Sequence, residues 1–589
     1  MAGGQASSKP SSTPADDALS PQRFERELKS LAAKARSDTW AGRTRRQLVV
    51  YLRAALLLAL LGVYSNVSQL NLSPVYGAIP AAIWHSKVLM AGCFAGWAGN
   101  EALRRSLPVS AAQALPLVAL YTPALQFFLA GLSGRLGAQW GPVATEALTL
   151  FPLAALTAAA VADDLEGDGG GGGARLTMLP GFVADAAPGL GSWGMLKLVE
   201  QRAGEHLRAN MGRAVAVYTR LGLELLLGVA YAVVARSRFL VYAAPPLLHT
   251  LVANPHVASP AATQALVSRM MSDNWLLIER RESVTGYLSV VQNMREGFRA
   301  LRCDHSLLGG NWVQAAADGD VSEPIYGVFA MLEAVRLAES AKPVADEDAH
   351  ALVVGLGVGT TPSAFVTLGI NTTVVEIDRS VYELAAKYFQ LKENNPPVIA
   401  DAVSYTAALA ASAPETYDYI VHDVFTGGAE PVDLFTLEFF QGLAALLKPD
   451  GAVAINYAGD LSLPTPKLIY RTIKHVFPTC RIFRESPVDA EAAKGHAPDF
   501  TNLVIFCKKT AGPLRFRAPT ARDLLRSPAR EEFLALKHEV AQDVLLSGED
   551  ASVLSRNDTS AVVKWHETSA LGHWAIMRNA LPDMVWEQW

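Results

Sequence analysis

The chain has 589 residues, more than one hydrophobic core usually organises, so we expect at least two structural units. Half of the residues are hydrophobic, and long apolar runs concentrate in residues 47–254, whereas residues 260–589 have the composition of a soluble domain. The net charge of −5 is nearly balanced, so we expect no nucleic acid partner.

The four cysteines are scattered along the chain and form no CxxC pair, and no His lies at metal-ligand spacing from them. They are Cys93, Cys303, Cys480 and Cys507. This distribution predicts neither a disulfide framework nor a metal site. A reducing, intracellular location for the soluble half is the simpler interpretation.

The N-terminal region, residues 1–46, is predicted to be a disordered and basic cytosolic segment. Residues 1–20 are mostly Ser, Ala, Pro and Gly and contain no signal peptide core. Residues 21–46 then carry eight Lys and Arg residues directly before the first apolar run: Arg23, Arg26, Lys29, Lys34, Arg36, Arg43, Arg45 and Arg46. By the positive-inside rule, such a flank lies in the cytosol.

Residues 47–255 contain apolar runs that approach the roughly 20 residues needed by a membrane-spanning helix. The runs cover about Leu48–Tyr64, Pro80–Gly99, Leu107–Leu132, Gly141–Ala162, Ala214–Val234 and Phe239–Val252. Several such runs in succession are hard to bury in one soluble fold. We therefore expect a transmembrane domain of about six helices, with the lipid bilayer as a partner.

The number of spans decides which side of the membrane the soluble half faces. An acidic and glycine-rich linker, DDLEGDGGGGGAR, precedes a Pro- and Gly-containing segment at 176–198, which is either interfacial or a seventh span. Six spans place both termini in the cytosol, and seven place the soluble half on the other side. With six, the expectation is a multi-pass membrane protein with a cytosolic soluble domain.

From Ala351 onwards, apolar strand patterns alternate with amphipathic helix patterns. The predicted strands are ALVV, TTVVEID, PVIA, YDYIVHDVF and GAVAINY, followed by CRIFRE and NLVIFCKK. Such alternation predicts a parallel, doubly wound, Rossmann-like α/β sheet. In these sheets, ligands bind at the carboxyl ends of the strands, next to the first strand.

The first of these strands ends in a glycine loop, VVGLGVGTTP. The loop has no side chains at Gly355, Gly357 and Gly359, so its backbone can approach a ligand there. A helix N-terminus follows the loop. The spacing does not complete GxGxxG, because Thr360 or Pro362 stands at the last position. A GxGxG loop is instead typical of sites for adenosyl sulfonium compounds.

Acidic residues follow the next two strands. Glu376 is expected to accept both ribose hydroxyls, and Asp401 with Ala402 is expected to contact the adenine amino group. Both acids precede predicted helices, so helix N-capping is the structural alternative for each.

On these residues the sequence resembles the spermidine and spermine synthase family, the polyamine aminopropyltransferases. ALVVGLGVGTTP corresponds to the family's glycine loop, VVEID to its ribose-binding acid, and IADAVSYTAAL to its adenine contact. YDYIVHDVFTGGAEPVDLF matches its catalytic strand and gate loop. The resemblance covers about residues 280–510 and is best to divergent membrane-bound members.

The resemblance implies a β-hairpin region at 260–345, a Rossmann-like transferase domain at 346–510 and a C-terminal helical tail at 511–589. It also implies decarboxylated S-adenosylmethionine as the donor, a small-molecule amine as the acceptor, and no metal. Asp423 matches the family's catalytic Asp, which can accept a proton from the attacking amine; a cap or loop-stabilising role is its alternative. A homodimer is an open option.

Several acids of the family are replaced. The second acid of the DxxD motif is Thr426, and the acid of the glycine loop, which helps to hold the aminopropyl group, is Val358. The family's Tyr-His-Glu motif becomes Tyr326-Gly327-Val328, and an upstream Gln becomes Gly286. His422 should point to the opposite face of its strand from Asp423 and serve in packing.

The function expected from the resemblance is a membrane-anchored, spermidine synthase-like transferase of polyamine biosynthesis. The first alternative is an S-adenosylmethionine-dependent methyltransferase on the same fold, which the lost acids favour. The second is a non-catalytic membrane transporter or scaffold with a nucleoside-binding domain. Fold alone does not separate these three.

Overall fold

The computed structural model describes residues 21–37, 40–166, 181–212, 218–314, 320–424, 427–488, 494, 498–547 and 552–589. The first part of this chain is helical, and the second part contains two β-sheets with their flanking helices. The two parts are called the helical half and, after the transferase domain expected in it, the catalytic half.

The helical half is a bundle of apolar helices. Its helices are α1 (Pro21–Ser37), α2 (Trp40–Tyr76), α3 (Ala78–Ala82), α4 (His85–Ala98), α5 (Asn100–Ser106), α6 (Ala111–Ala130), α7 (Ser133–Leu148), α8 (Leu150–Glu166), α9 (Gly181–Asn210), α10 (Arg220–Ala235) and α11 (Ala244–Val252). A 3-10 turn, Leu240–Ala243, leads into α11.

Among the described residues of this half, four helical segments have the length and apolar composition of membrane spans. They are Gln47–Tyr76, Ala78–Ala98, Ala111–Ala130 and Ser133–Leu165. Length and composition make them candidates, and the count of about six spans stays a prediction.

The catalytic half begins with helix α12 (Pro260–Met271) and a five-stranded antiparallel sheet. Its strands are β1 (Trp275–Glu282), β2 (Tyr287–Asn293), β3 (Phe298–Cys303), β4 (Ser306–Trp312) and β5 (Glu323–Pro324), in that spatial order. Gly297 and Asp304 have positive φ in the turns before and after β3. Helix α13 (Gly327–Leu332) leads from this sheet to the next one.

The larger sheet has eight strands flanked by helices. Its elements are β6 (His350–Val354), α14 (Thr360–Leu368), β7 (Asn371–Glu376), α15 (Arg379–Tyr388), β8 (Val398–Ile399), α16 (Ala402–Ser412), β9 (Tyr417–His422), α17 (Leu437–Leu446), β10 (Leu447–Asp460), α18 (Pro464–Val476), β11 (Thr479–Arg484), β12 (Phe500–Lys508), α19 (Ala521–Leu524), α20 (Pro528–Phe533), β13 (His538–Val540), α21 (Gln542–Leu546), α22 (Ser560–Ala580) and α23 (Asp583–Glu587).

The strand order is β13-β11-β12-β10-β9-β6-β7-β8. The five strands from β10 to β8 are parallel, which confirms the predicted Rossmann-like domain. Strands β11, β12 and β13 are antiparallel additions at one edge, whereas the pattern of alternating strands and helices predicted a parallel sheet. Strand β6 lies between β7 and β9, so its carboxyl end is the switch point of the sheet.

The expectation of no disulfide is wrong for one pair of cysteines. Cys480 in β11 and Cys507 in β12 face each other in the antiparallel register and form a disulfide. They are separated by 27 positions in the sequence, so only the strand pairing makes them neighbours. Cys93 and Cys303 are free thiols.

The C-terminal segment joins the two halves. The guanidinium of Arg302 in β3 is buried and donates hydrogen bonds to the carbonyls of Pro74 in α2, Val585 and Trp586. Trp574 of α22 donates to the Val75 carbonyl at 3.1 Å. A buried guanidinium needs such partners, because burial without them costs several kcal/mol.

Candidate active site

The glycine loop between β6 and α14 lies where backbone is crowded from three directions. All three glycines have positive φ. A methyl group on Gly355 would lie 2.0 Å from the Asp423 carbonyl oxygen, and one on Gly357 would lie 2.4 Å from the Leu308 carbonyl oxygen of β4. A methyl group on Gly359 would lie 2.4 Å from the Leu391 side chain. Only glycine fits these positions, so the smaller sheet covers the loop closely.

Glu376 ends β7 directly beside the glycine loop. One carboxylate oxygen accepts a hydrogen bond from the Leu356 N–H at 3.0 Å, and the other accepts from the Asp378 N–H at 2.8 Å. Burial raises the pKa of Glu376 to about 7, although the backbone hydrogen bonds act in the opposite direction. Helix α15 is capped by Asp378 and not by Glu376, so the capping alternative does not apply to Glu376.

Asp401 caps helix α16. Its carboxylate accepts hydrogen bonds from Val403 N–H at 3.2 Å, Ser404 N–H at 3.0 Å and the Ser404 hydroxyl at 2.6 Å. Burial disfavours the charged form, but these hydrogen bonds outweigh it and lower the pKa of Asp401. The capping alternative left open by the sequence therefore describes this carboxylate, and an adenine contact by Asp401 or Ala402 stays a prediction.

Asp423 directly follows β9, and its N–H donates to the Val354 carbonyl of β6 at 2.8 Å. One carboxylate oxygen accepts a 2.7 Å hydrogen bond from the side-chain amide of Asn456. Burial raises the pKa of Asp423 to about 6, against the lowering effect of the Asn456 amide. Asn456 was not among the residues predicted from the sequence, although a polar residue in the apolar run GAVAINY could have indicated it.

His422 points away from Asp423, as predicted. It is buried, contacts the rings of Phe435, Phe439 and Phe440, and one ring nitrogen lies 3.0 Å from the Leu434 carbonyl. Burial lowers the pKa of His422 to about 4, so the ring is neutral and serves in packing.

At two positions where the polyamine synthases carry ligand-binding side chains, a side chain would meet other atoms of this protein. A methyl group on Gly327 would lie 2.5 Å from the Phe533 ring, and one on Gly286 would lie 2.8 Å from the Cys303 sulfur. Val358 is 5% exposed and packs in an apolar cluster with Leu288 and other residues of the smaller sheet. Thr426 lies outside the described residues.

Helix α22 packs against the loop that follows Asp423. A methyl group on Gly428 of that loop would lie 2.5 Å from the His573 side chain of α22. His573 also lies 3.2 Å from the Ser306 hydroxyl of β4. In the same loop, Glu430 accepts a 2.7 Å hydrogen bond from Tyr457 and faces His566 of α22 at 3.4 Å. The C-terminal tail, which was predicted only as helical, thus forms one wall near the site.

The structure brings together the three glycines, Glu376 and Asp423 at the carboxyl ends of β6, β7 and β9. This edge suits an adenosyl sulfonium compound: the loop offers backbone in place of side chains, and Glu376 offers a buried carboxylate to hydroxyl donors. Val358 stands where the resembling family has an acidic residue, so the loop carries no negative charge at this position. Among the described residues, no three His, Cys, Asp or Glu side chains form a group that could hold a metal ion.

Comparison with known proteins decides the family. The chain is 44% identical over 554 residues to an N-terminal histidine N-methyltransferase of Emericella nidulans, covering 91% of this chain and 97% of that relative. The chain belongs to the family of this methyltransferase. The family described as "Spermine/spermidine synthase domain" also matches, over residues 334–483.

This member of the methyltransferase family also matches polyamine synthases, at lower sequence identity. A polyamine aminopropyltransferase of Vibrio vulnificus is 28% identical over 239 residues, 40% of this chain and 77% of that relative. A probable spermidine synthase of Corynebacterium glutamicum is 17% identical, with a TM-score of 0.33, covering 45% of this chain and 96% of that one. Human methyltransferase-like protein 13 in complex with SAH is 24% identical, with a TM-score of 0.27, covering 40% and 97%.

The chain is therefore a transferase, and S-adenosylmethionine is its co-substrate. The prediction of a spermidine synthase-like enzyme of polyamine biosynthesis is wrong, because the relative that matches almost the whole chain is a methyltransferase. The resemblance to polyamine synthases reflects a shared domain. The methyltransferase alternative is the better supported reading, and the non-catalytic alternative is not supported.

Proposed function

We propose that this protein transfers a methyl group from S-adenosylmethionine to the N-terminal histidine of a polypeptide. The observation that carries the proposal is the 44% identity to an N-terminal histidine N-methyltransferase along 97% of that relative's length. The site agrees with a methyl donor rather than with polyamine synthesis, because Gly286, Gly327 and Val358 replace the side chains that would bind a polyamine or a decarboxylated donor.

The glycine loop and Glu376 are the residues that would hold the donor, which supplies a methyl group bonded to a positively charged sulfur. The acceptor nitrogen must be unprotonated to attack. An imidazole with an ordinary pKa of about 6.5 is mostly neutral at pH 7, whereas a terminal amine with a pKa of about 7.7–8.0 is mostly protonated. We therefore infer that a ring nitrogen of the histidine is the acceptor.

A neutral imidazole has one bare nitrogen and one N–H, and methylation of the bare nitrogen leaves a cation unless the N–H proton departs. Asp423 is the group placed to accept that proton. The Asn456 amide holds one oxygen of its carboxylate at 2.7 Å, so the other oxygen is available to a substrate N–H. With a pKa of about 6, Asp423 is mostly ionised at neutral pH and suits a proton acceptor.

The test is methyl transfer by the purified full-length chain to a peptide that begins with histidine. The expected product carries one methyl group on the histidine ring, located by fragmentation in a mass spectrometer. Two matched control peptides, one with the histidine moved to the second position and one with an acetylated N-terminus, should remain unmodified. Equal methylation of all three peptides would contradict recognition of an N-terminal histidine.

The polypeptide acceptor replaces the small-molecule amine suggested by the sequence resemblance. A homodimer remains a prediction that the single chain does not address. The predicted integral membrane location, with a cytosolic soluble domain, stays a prediction.

A further inference from the structure

The acceptor proposed above carries a second group besides its imidazole, the free α-amino group of a chain end. With an ordinary pKa of about 7.7–8.0, this group is mostly an ammonium cation at neutral pH. A pocket that removes an ammonium from water must offer it a carboxylate or other acceptors, because burying an unpaired charge is strongly unfavourable. Recognition of an N-terminal histidine therefore requires an acidic side chain near Asp423.

Three other acidic side chains at this edge of the sheet already have partners in the protein. Asp378 and Asp401 cap helices α15 and α16. Asp460, at the end of β10, accepts hydrogen bonds from two backbone N–H groups at 3.0 Å each. These carboxylates are engaged in holding local structure, which leaves Glu430 as the acid to consider.

Glu430 lies on the loop that follows Asp423 and is 8% exposed. One of its carboxylate oxygens accepts a 2.7 Å hydrogen bond from the Tyr457 hydroxyl. Tyr457 is the residue after Asn456, whose amide holds the Asp423 carboxylate. Consecutive residues of β10 therefore hold the proton acceptor and a second carboxylate.

The Tyr457 ring lies along its strand, toward the carboxyl end of β10. A methyl group on Gly459 would lie 2.7 Å from the Tyr457 hydroxyl oxygen. Strand β9 ends at His422, opposite Ile455, so β10 extends beyond its neighbour at this level. The Glu430 carboxylate is therefore placed past the carboxyl edge of the parallel strands, where ligands approach such a sheet.

The separation of the two carboxylates suits a histidine that lies between them. Gly459, beside the Tyr457 hydroxyl, is about 10 Å along the strand from Asn456, at about 3.3 Å per residue. In histidine, about 5 Å separates the α-nitrogen from the far ring nitrogen, and a hydrogen bond of about 2.8 Å at each end extends this reach to about 11 Å. One residue can therefore place a ring N–H on Asp423 and its ammonium on Glu430.

The second oxygen of Glu430 has no permanent cation beside it. It faces His566 of α22 at 3.4 Å, and that ring nitrogen makes no hydrogen bond with the described part of the chain. Within the same described residues, no Lys or Arg lies at ion-pair distance from Glu430. A buried carboxylate of this kind can be paired by a cation that a ligand brings, and an α-ammonium supplies that charge with up to three N–H donors.

Helix α22 occupies the space beside this carboxylate. His566 faces Glu430, and His573, two turns further along, would lie 2.5 Å from a methyl group on Gly428 of the same loop. A residue in front of the histidine would replace the ammonium by an amide, which has no positive charge and needs additional room next to the helix. Charge and space therefore both favour a free chain end.

We propose, on the basis of the methyl transfer proposed above, that Glu430 binds the α-ammonium group of the acceptor, with α22 as the wall beside it. The substrate class is then a polypeptide with an unmodified amino terminus. The two carboxylates have separate roles: Asp423 takes the ring proton, and Glu430 holds the chain end.

The test compares two peptides with the purified full-length enzyme. One begins with histidine, and the other begins with desaminohistidine, which lacks only the α-amino group. The wild-type kcat/KM should be roughly 30-fold or more lower for the second peptide, because removing one partner of a buried charge pair leaves the other unpaired.

In Glu430→Gln, kcat/KM for the histidine peptide should fall by a similar factor, mainly through KM. The preference for the α-amino group should shrink to within about threefold, since its partner has lost the charge. Affinity for S-adenosylmethionine in calorimetry should stay at the wild-type level. Asp433→Asn, an exposed carboxylate changed to an amide in the same way, is the matched control and should keep both the rate and the preference.

A Glu430→Gln enzyme that keeps the wild-type preference for the α-amino group would overturn the proposal. So would an equal loss on both peptides, which is the result expected if Glu430 only pairs with His566 to support the loop. Should Glu430→Gln fail to fold, Tyr457→Phe decides. It removes the hydroxyl that orients Glu430 and should reduce the same preference by about three- to tenfold, and an unchanged preference would again contradict the role of Glu430.

The wild-type enzyme separates this proposal from the one on which it rests. If neither peptide is methylated on the ring, the proposed function fails, and the role of Glu430 fails with it. If both peptides are methylated with equal efficiency, the methyl transfer stands and only the role of Glu430 is overturned.

Discussion

Replacing Asp423 by Asn should remove the proton acceptor of the proposed reaction while keeping the shape of the side chain. With a pKa of about 6, Asp423 is roughly a tenth ionised at pH 5 and roughly nine-tenths ionised at pH 7, a tenfold range. The substrate imidazole, with an ordinary pKa of about 6.5, gains its neutral form about 25-fold over the same interval. The wild-type kcat/KM should therefore rise about 250-fold from pH 5 to pH 7, if both groups must be unprotonated.

In Asp423→Asn, only the substrate titration remains, so the rise should shrink to about 25-fold. The rate at pH 7 should fall by about 10²- to 10⁴-fold, the usual contribution of a general base. The assay is initial-rate methylation of a peptide that begins with histidine, measured across this pH range. Asp433→Asn, the same substitution at an exposed position ten residues along, should keep the wild-type rate and slope. An Asp423→Asn variant that keeps either the wild-type rate or the wild-type pH dependence would refute the assignment of Asp423 as the general base.

Four further outcomes test the donor site and the fold. Glu376→Ala should abolish binding of S-adenosylmethionine in calorimetry, and retained affinity would disprove the ribose assignment. Gly355→Ala should lose activity and lower the melting temperature, because the added methyl group would lie 2.0 Å from a carbonyl oxygen. Gly572→Ala in α22, with no atom within 4 Å of the new methyl group, should instead be neutral or stabilising by roughly 0.5–1 kcal/mol. Changing Cys480 and Cys507 together to Ser should lower the free energy of unfolding by about 3 kcal/mol in denaturant titrations. No difference between the double variant and the wild-type chain would show that the disulfide does not form in solution.

The features of this molecule that could be predicted from the sequence are those that depend on short-range patterns of residues. Alternating strands and helices predicted the Rossmann-like domain, and the glycine spacing identified the loop at the carboxyl end of β6. Strand alternation also predicted that His422 and Asp423 face opposite ways. Each of these depends on residues that are close together in the chain.

The features that the sequence did not predict depend on residues far apart. The disulfide needs β11 and β12 to pair in one register, and Asp423 meets Asn456 only because β9 and β10 are adjacent. The polyamine interpretation was wrong for a related reason: a shared domain carries a family resemblance, whereas the acceptor is decided by a few positions. The replacement at Gly327 can be interpreted only from the fold, because the Phe533 ring occupies the space that a side chain at this position would need.

Helix α22 rests on the loop after Asp423 with one side and on α3 and α7 of the bundle with another. If the bundle lies in a lipid bilayer, a change in the thickness or lateral pressure of that bilayer would be transmitted to the loop through this one helix. Turnover measured in detergent micelles would then differ from turnover in vesicles, even with an unaltered site.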